Sequence, residues 1–511
     1  MTLGAPRRDL LKAALCSAAL VSVGAWAQSA PRMNVVIITT DDNDAASLGC
    51  FGNPLEGVTP HMDRLAAKGA RFEHAHTTSP TCQPSRLSLM TGRYPQTNGN
   101  TGHADPLKPG VTTLAAELKK AGYFTALVGK EGNYVPAEAF DWDRHRLSAD
   151  QWEPDDGYWG MWRSPEGFYR GTKELIAEAK KAEKPFFLHL NTSDPHRPWP
   201  GHVTEVEHLR RMESRSGLEL DPLRPCPRQY SPLEVPVPGY LPDLPGVRVD
   251  LADYYECLHR ADLAVGRMLQ AIEEAGARRH TIVICFGDQG MALPTSKQNI
   301  YPYSTRIPLL IDWPGVTKPG TVVGDTMVSV IDLMPTLLDG LGLPPVEGLD
   351  GKSVLPVLKG DPQAGRSRVF TSYNYALPGI QVFPMRAVQT REFIYIYNAW
   401  PGRENAQGQP LRYNGNYDAL KPMAWPSMLE AAKTDPEVAE RVRFIARRAP
   451  EEFYDLRSDP DCLHNRIDDP EHREKIETLR RLLMRQMEET GDPLLKVWKE
   501  DAPLPSAWMN R

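Results

Sequence analysis

Along the first two thirds of the chain, short runs of apolar, mostly β-branched residues alternate with longer stretches of helical period. Residues 34–40 (NVVIITT) form a continuous apolar run, as in a strand buried on both faces, and Asp41-Asp42 end it. Residues 59–69 open with Thr-Pro and close with Gly, the punctuation of a helix. Residues 79–93 read as a loop turning into a helix. Pro84 is tolerated in its first turn, Leu87, Leu89 and Met90 supply an apolar face, and Gly92 suits its end. A helix over 112–121 follows, then a strand over 124–128 that leads into Gly129-Lys130. A helix over 172–182 precedes a strand over 186–190, which ends at Asp194-Pro195-His196. Residues 198–248, rich in Pro and charge, read as a long ordered excursion over the surface. Next come a helix over 250–275, a strand over 281–286 ending at Gly287-Asp288-Gln289-Gly290, a strand over 307–311 and a helix over 331–341. This alternation predicts an α/β fold, a mostly parallel sheet flanked by helices.

Beyond about residue 366 the style shifts. Short strands over 369–373, 385–388, 392–397 and 451–456, then a charged helix over 471–489, predict a smaller C-terminal α+β domain. The expected division is a catalytic domain over 28–365 and a C-terminal domain over 366–511. A length of 511 residues agrees with two domains.

Composition adds little to the fold: 41% apolar and 24% charged residues are ordinary for a globular protein. The net charge of -6 argues against a nucleic-acid partner. The N-terminus changes the picture more. Arg7-Arg8-Asp9-Leu10-Leu11-Lys12 precede an apolar run that closes on Ala25-Trp26-Ala27. A charged region, a short apolar region and a small-x-small site read as a signal peptide over 1–27, and the paired arginines suggest the twin-arginine route. The apolar run falls short of the roughly 20 residues that span a bilayer. A periplasmic or secreted product without a membrane span in its mature form is therefore expected. Cys50, Cys82, Cys226, Cys257, Cys285 and Cys462 remain after cleavage. An even count permits disulfides, but folding before export and the length of the chain weigh against them.

Candidate chemistry gathers at the predicted strand ends, where ligands collect in open α/β sheets. Cys82 opens a helix, whose free N–H groups and dipole favour an anion, and Arg86 follows four residues on. Read alone, Cys82 is either a nucleophile beside an anion-binding Arg or an inert cysteine. Asp41, Asp42, Asp288 and Gln289 offer three carboxylates and an amide carbonyl. This all-oxygen set suits Ca²⁺ or Mg²⁺ better than zinc. Taken alone, each pair reads more readily without a metal, Asp41-Asp42 as a capped turn and Asp288 as a solvated side chain; together with Cys82 they favour the metal. Together with a dication, convergence of Arg86, Lys130 and Lys297 leaves a cationic pocket fit for a sulfate or phosphate ester. His196, after another strand, can protonate a leaving oxygen or nitrogen.

The run Cys82-Gln83-Pro84-Ser85-Arg86 with Thr91-Gly92-Arg93 resembles the signature of type I sulfatases of the alkaline-phosphatase-like superfamily. Further matches are Asp41-Asp42, 59–63, Gly129-Lys130, Asp194-Pro195-His196, 287–290, Lys297 and Tyr454-Asp455-Leu456 with Asp459-Pro460. The stretch 232–276, with Pro294-Thr295-Ser296-Lys297, is similar to bacterial proteins akin to heparan N-sulfatase. The resemblance implies that Cys82 becomes formylglycine (3-oxoalanine), made by a formylglycine-generating or anaerobic sulfatase-maturating enzyme, and that its hydrate attacks sulfur. It implies Ca²⁺, rather than Mg²⁺, on Asp41, Asp42, Asp288, Gln289 and the modified Cys82. It further implies Arg86 steadying the hydrate, Lys130 and Lys297 on sulfate oxygens, and His196 assisting the leaving group. The substrate implied is a sulfate ester or sulfamate on a sulfated saccharide. Two departures stand out. The His that relatives carry two residues after the Gly-Lys lysine is missing from Lys130-Glu131-Gly132-Asn133, leaving Asn133 or His103 as substitutes. Gln289 replaces a more usual Asn or His. The alternatives are a phosphonate or phosphate ester hydrolase of the same superfamily and a non-catalytic protein that binds sulfated glycans.

Overall fold

The strand of residues 34–40 lies at the centre of the molecule. In a computed structural model, which describes residues 32–103, 105–145, 163–202, 205–216, 225–405, 408–413 and 423–509, it is β1 (Asn34–Thr40). It pairs in parallel with β5 (Phe186–Asn191) on one side and β6 (Thr281–Gly287) on the other. Its continuous apolar run is explained by cover on both faces. Val36 and Ile38 belong to one apolar cluster, with Met62, Leu65, Leu175, Leu251 and Leu258. Val35 and Ile37 belong to another, with Leu87, Leu89, Leu114, Leu333 and Leu337. The first set comes from the helices Pro60–Lys68, Pro165–Lys181 and Pro245–Glu274. The second comes from Cys82–Thr91, Leu114–Lys120 and Leu333–Gly340.

The remaining strands of this sheet are β2 (Ala70–His76), β3 (Phe124–Val128), β4 (Arg144–His145), β7 (Leu309–Asp312) and β8 (Thr321–Ser329). The strand order is β4-β3-β5-β1-β6-β7-β2-β8, and β7 alone runs against its neighbours. The expected α/β class is thus the observed one. Two strands of the far half, β2 and β8, were not expected from the sequence. β2 reads ARFEHAH, whose charged residues broke the apolar run, and β8 carries Gly and Asp in its middle. The strand expected over 307–311 is β7, two residues later at its start.

A second sheet is antiparallel, in the order β12-β11-β10-β9, from β9 (Arg368–Tyr373), β10 (Met385–Thr390), β11 (Phe393–Asn398) and β12 (Glu451–Asp455). The period of two in β11 divides it between two clusters. Ile394 and Ile396 join the large core, whereas Phe393, Tyr395 and Tyr397 pack with Leu479 and Leu483 of the helix Arg473–Glu489. The described residues from Met33 onward form one compact unit.

The excursion of 198–248 includes a helix, Glu205–Ser216, and its residues 203–204 and 217–224 lie outside the described ones. The signal segment expected over 1–27 also lies outside the described residues. Among those described, no helix is long and apolar enough to cross a membrane. The six cysteines are free thiols. Cys285, in the middle of β6, is buried core.

Candidate active site

Parallel register brings the polar strand ends to one edge. Thr40 of β1 stands opposite Gly287 of β6, Thr39 opposite Asn191 of β5, and Val128 of β3 opposite Leu190. Asp41, Asp288 and Lys130 therefore leave their strands side by side, and His196 follows five residues after β5 ends. Two of these turns need unusual backbone. Asp42 and Lys130 are left-handed, with φ of 61° and 59°. Gly129 between β3 and Lys130 also has positive φ, and a Cβ there would meet the Asn191 carbonyl oxygen at 2.1 Å. Such conformations cost about 1–3 kcal/mol each in non-glycine residues and persist where the surroundings over-determine them.

The helix Cys82–Thr91 enters this edge with its N-terminus. Thr81 precedes it in extended conformation, and Gly92 ends it with φ of 61°. All ten of its residues are buried. Ser85 ties the helix to β6 by donating to the Asp288 carbonyl oxygen at 2.7 Å.

The structure brings all nine sequence-predicted residues together. Cys82 Sγ donates to Asp41 Oδ1 at 3.4 Å, and Gln289 Nε2 donates to Cys82 Sγ at 3.0 Å and to Asp42 Oδ1 at 2.6 Å. Oxygens of Asp41, Asp42 and Asp288 lie within 4.8 Å of one another. Lys297 Nζ donates to Asp42 Oδ2 at 3.0 Å, and Lys130 Nζ pairs with Asp41 Oδ2. Arg86 binds Asp288 Oδ2 through Nε at 3.0 Å, and His196 Nε2 lies 4.0 Å from Asp42 Oδ2. Most of these side chains are fully buried. Lys130 and His196 keep 13% and 19% of their side chains exposed, so they mark the open side of the site.

Electrostatics follow from this crowding. Burial pushes the Asp288 carboxyl up, and the neighbouring charges of Asp41 and Asp42 add to that against Arg86, to about 7. Burial acts in the same direction on Asp41, but Lys130, then His196, Arg86 and Lys297, hold it well below the usual carboxylate range. The Cys82 thiol is pushed far above its ordinary value, by burial first and then by Asp41. An unmodified Cys82 is thus a poor thiolate nucleophile, despite its place at a helix N-terminus.

A hard dication fits these residues. Three carboxylates within one ion's reach repel each other, and an ion between them relieves that repulsion. Gln289 Oε1 is buried and makes no hydrogen bond among the described residues, so the amide carries an oxygen in want of a partner.

Several supporting residues were missed in the sequence. Asn191 ends β5, and its Oδ1 accepts from Arg86 Nη1 at 2.5 Å and from the Tyr134 hydroxyl at 3.0 Å. Asp194 Oδ1 accepts from Arg163 at 2.8 Å and Oδ2 from Arg260 at 2.6 Å, and Arg163 Nη2 donates to the His196 carbonyl oxygen at 2.9 Å. These bonds fix the loop that carries His196. The strand-end position of Asn191 was the available signal, whereas Arg163 and Arg260 are distant in sequence and gave none. Asn133, in the turn after Lys130, is buried, and its Oδ1 has no hydrogen-bond partner among the described residues. His103 lies beside the second sheet, its amide bonded to the Ala376 carbonyl oxygen at 2.9 Å.

Comparison with known proteins adds an independent line. The sulfatase family profile matches residues 33–343, and that of the N-sulphoglucosamine sulphohydrolase C-terminal region matches residues 295–401. The chain is 30% identical to N-sulphoglucosamine sulphohydrolase of Homo sapiens, over 94% of each chain. Its fold is similar to that of a protein solved in complex with its substrate D-glucosamine-2-N,6-O-disulfate. The TM-score is 0.63 at 20% identity, over 90% of this chain and 99% of the other. It is also similar to a phosphonate monoester hydrolase from Silicibacter pomeroyi, with TM-score 0.60 at 20% identity, over 91% and 97% of the two chains. With a family profile spanning more than half its length over an edge of three carboxylates, a buried Cys and converging Lys and Arg, this chain belongs to the sulfatase family.

Proposed function

We propose that this protein hydrolyses sulfate esters or sulfamates on a sulfated saccharide, with Cys82 converted to formylglycine and Ca²⁺ bound by Asp41, Asp42, Asp288 and Gln289. The observation that carries the reading is the position of Cys82 Sγ, 3.4 Å from Asp41 and 3.0 Å from Gln289 at the rim of the carboxylate cluster. When present, formylglycine at position 82 supplies a geminal diol as nucleophile, and Ca²⁺ supplies the charge that draws an anionic ester towards it.

The chain's own residues do the rest. Lys130 and Lys297, now paired with Asp41 and Asp42, donate to the sulfate oxygens and hold the ester in line with residue 82. Arg86 keeps Asp288 and Asp41 in place. His196, on the open side, donates a proton from Nε2 to the departing oxygen or nitrogen, which is worth about 10²–10⁴-fold in rate. Saccharides are poor leaving groups, so that proton matters most for them. The human relative, covered along 94% of its length and named for a sulfamate substrate, supports sulfamates within the range.

The functional organisation that accompanies this reading is an exported protein with a twin-arginine signal over 1–27, a catalytic domain over 28–365 and a C-terminal domain over 366–511. A maturating enzyme forms the aldehyde. Two measurements test the proposal. Peptide mass spectrometry across residues 82–93 from the natural host should show the Cys82 side chain with its sulfur and two hydrogens exchanged for one oxygen. The matured protein should release sulfate from a panel of O- and N-sulfated saccharides faster than it cleaves an aryl phosphonate. An unmodified thiol throughout, or a preference for the phosphonate, refutes it.

A further inference from the structure

Lys297 sits in a loop that residues more than 100 positions further along the chain help to hold. It sits between two left-handed residues that are not glycine, Thr295 with φ of 68° and Gln298 with φ of 63°. Strain of this kind needs outside restraint. One restraint lies close to the reacting groups: Gln298 N donates to the Pro80 carbonyl oxygen at 3.0 Å, two residues before Cys82. Lys297 N also donates to the Met291 carbonyl oxygen at 3.0 Å, and Ser304 Oγ to that of Thr295 at 3.1 Å. Two further restraints come from beyond residue 366. Thr295 N donates to the Tyr413 hydroxyl at 3.3 Å, and Arg448 Nη2 donates to Asn299 Oδ1 at 3.0 Å.

Arg448 belongs to a buried network centred on Glu452 of β12. Glu452 Oε2 accepts from the hydroxyls of Tyr301 at 2.7 Å and Tyr454 at 2.6 Å, and Oε1 accepts from Asn398 at 2.6 Å. Arg448 also donates to the Tyr301 hydroxyl. Glu452, Tyr301 and Tyr454 are fully inaccessible to solvent. Every side-chain oxygen of Glu452, Tyr301 and Tyr454 is hydrogen-bonded, whereas Asn398 Oδ1 and Asn299 Nδ2 at the edge of the network have no partner among the described residues. A buried centre bonded in this way holds its members in one geometry, because breaking it would strand polar atoms away from water. Tyr454, one of the matched positions that no catalytic role absorbs, finds its place here.

We propose that Arg448 and Glu452, with Tyr301 and Tyr413, are positioning residues for Lys297. Through them the second sheet sets the ammonium that faces Asp42 and, in the proposed reaction, the sulfate. The inference rests on the sulfatase reading for its kinetic part only. The loop restraint is a property of the fold.

The test uses the full matured protein and the variants Arg448→Met, Tyr301→Phe and Tyr413→Phe. Two readouts are taken: turnover of 4-nitrophenyl sulfate and amide hydrogen exchange by mass spectrometry. Each variant should raise exchange in peptides covering 294–301 and leave those covering 82–91 unchanged. Arg448→Met should lower kcat/KM at least tenfold while keeping a cooperative melt. Combined with Lys297→Ala, it should add less than twofold to the loss from Lys297→Ala alone, because both changes remove the same interaction. Unchanged exchange at 294–301 in all three variants overturns the proposal. So does a loss from Arg448→Met that multiplies in full with that of Lys297→Ala. If Arg448→Met does not fold, the two tyrosine variants decide on the same criteria. A wild-type protein inactive on sulfate esters refutes the sulfatase reading, and the exchange measurement still decides the restraint.

Discussion

Arg86 meets Asp288 Oδ2 with two nitrogens of one guanidinium edge, Nε at 3.0 Å and Nη2 at 2.8 Å, and both side chains are wholly buried. The same Nη2 lies 3.5 Å from Asp41 Oδ2. Arg86 is therefore the fixed positive charge around which two of the three carboxylates are placed. Removing it leaves buried negative charge unmatched.

Arg86→Met should consequently destabilise the metal-free protein by about 3–5 kcal/mol, the usual cost of breaking one side of a buried ion pair. Urea unfolding in the presence of a chelator reads this directly. Arg86→Lys should recover only part of it, because one ammonium cannot reproduce the contacts to Asp288 and to Asn191 Oδ1 together.

Removal of divalent cations should abolish sulfate release and lower the melting temperature. Re-addition of Ca²⁺ to about 100 times its Kd should return about 2.7 kcal/mol of stability. Asp288→Asn should abolish that calcium-dependent shift. Calorimetry with and without Ca²⁺ measures both effects, and an unchanged melt in the wild-type protein would count against the cation site.

His196→Gln should separate substrates by leaving group. Turnover of a sulfated saccharide should fall by about 10²–10⁴-fold, whereas 4-nitrophenyl sulfate, whose phenolate departs without a proton, should lose far less. Equal losses on both would remove the proton-donor role.

Stability should also depend on pH through Asp253, away from the site. Burial, with the charges of Glu256 and Asp250, outweighs His202 and Arg197 and pushes its carboxyl up to about 7. The folded state thus binds this proton more tightly than the unfolded chain. The contribution is full below about pH 4 and is lost as pH rises through about 7. Asp253→Asn should flatten that fall between pH 5 and pH 8 in denaturant titrations and make the variant the more stable protein at pH 8.

Legibility in the sequence followed a physical division. Residues at the ends of buried parallel strands could be read, because a long apolar run fixes where the chain must turn. Asp41, Lys130, His196 and Asp288 all sit at or just beyond such ends. Cys82 and Arg86 were readable from a loop-to-helix junction and a signature at fixed spacing. The strands β2 and β8 were not, since charged or glycine residues interrupt them and pairing alone makes them strands. Arg163, Arg260 and Arg448 act through tertiary contact with distant partners, and no local pattern marks them. The left-handed turns at Asp42, Lys130, Thr295 and Gln298 likewise depend on the assembled molecule rather than on residue type.

The alignment of β1 between its neighbours has a consequence for quality control. Thr40 faces Gly287 and Thr39 faces Asn191. A slip of one position would displace Asp41 by about 3.3 Å and turn Val36 and Ile38 to the wrong side. Arg86 would then keep Asp288 but lose Asp41. A misaligned chain forfeits hydrolysis and much of its cohesion in the same stroke, so the reaction centre doubles as a gauge of whether the central strand has found its proper partners.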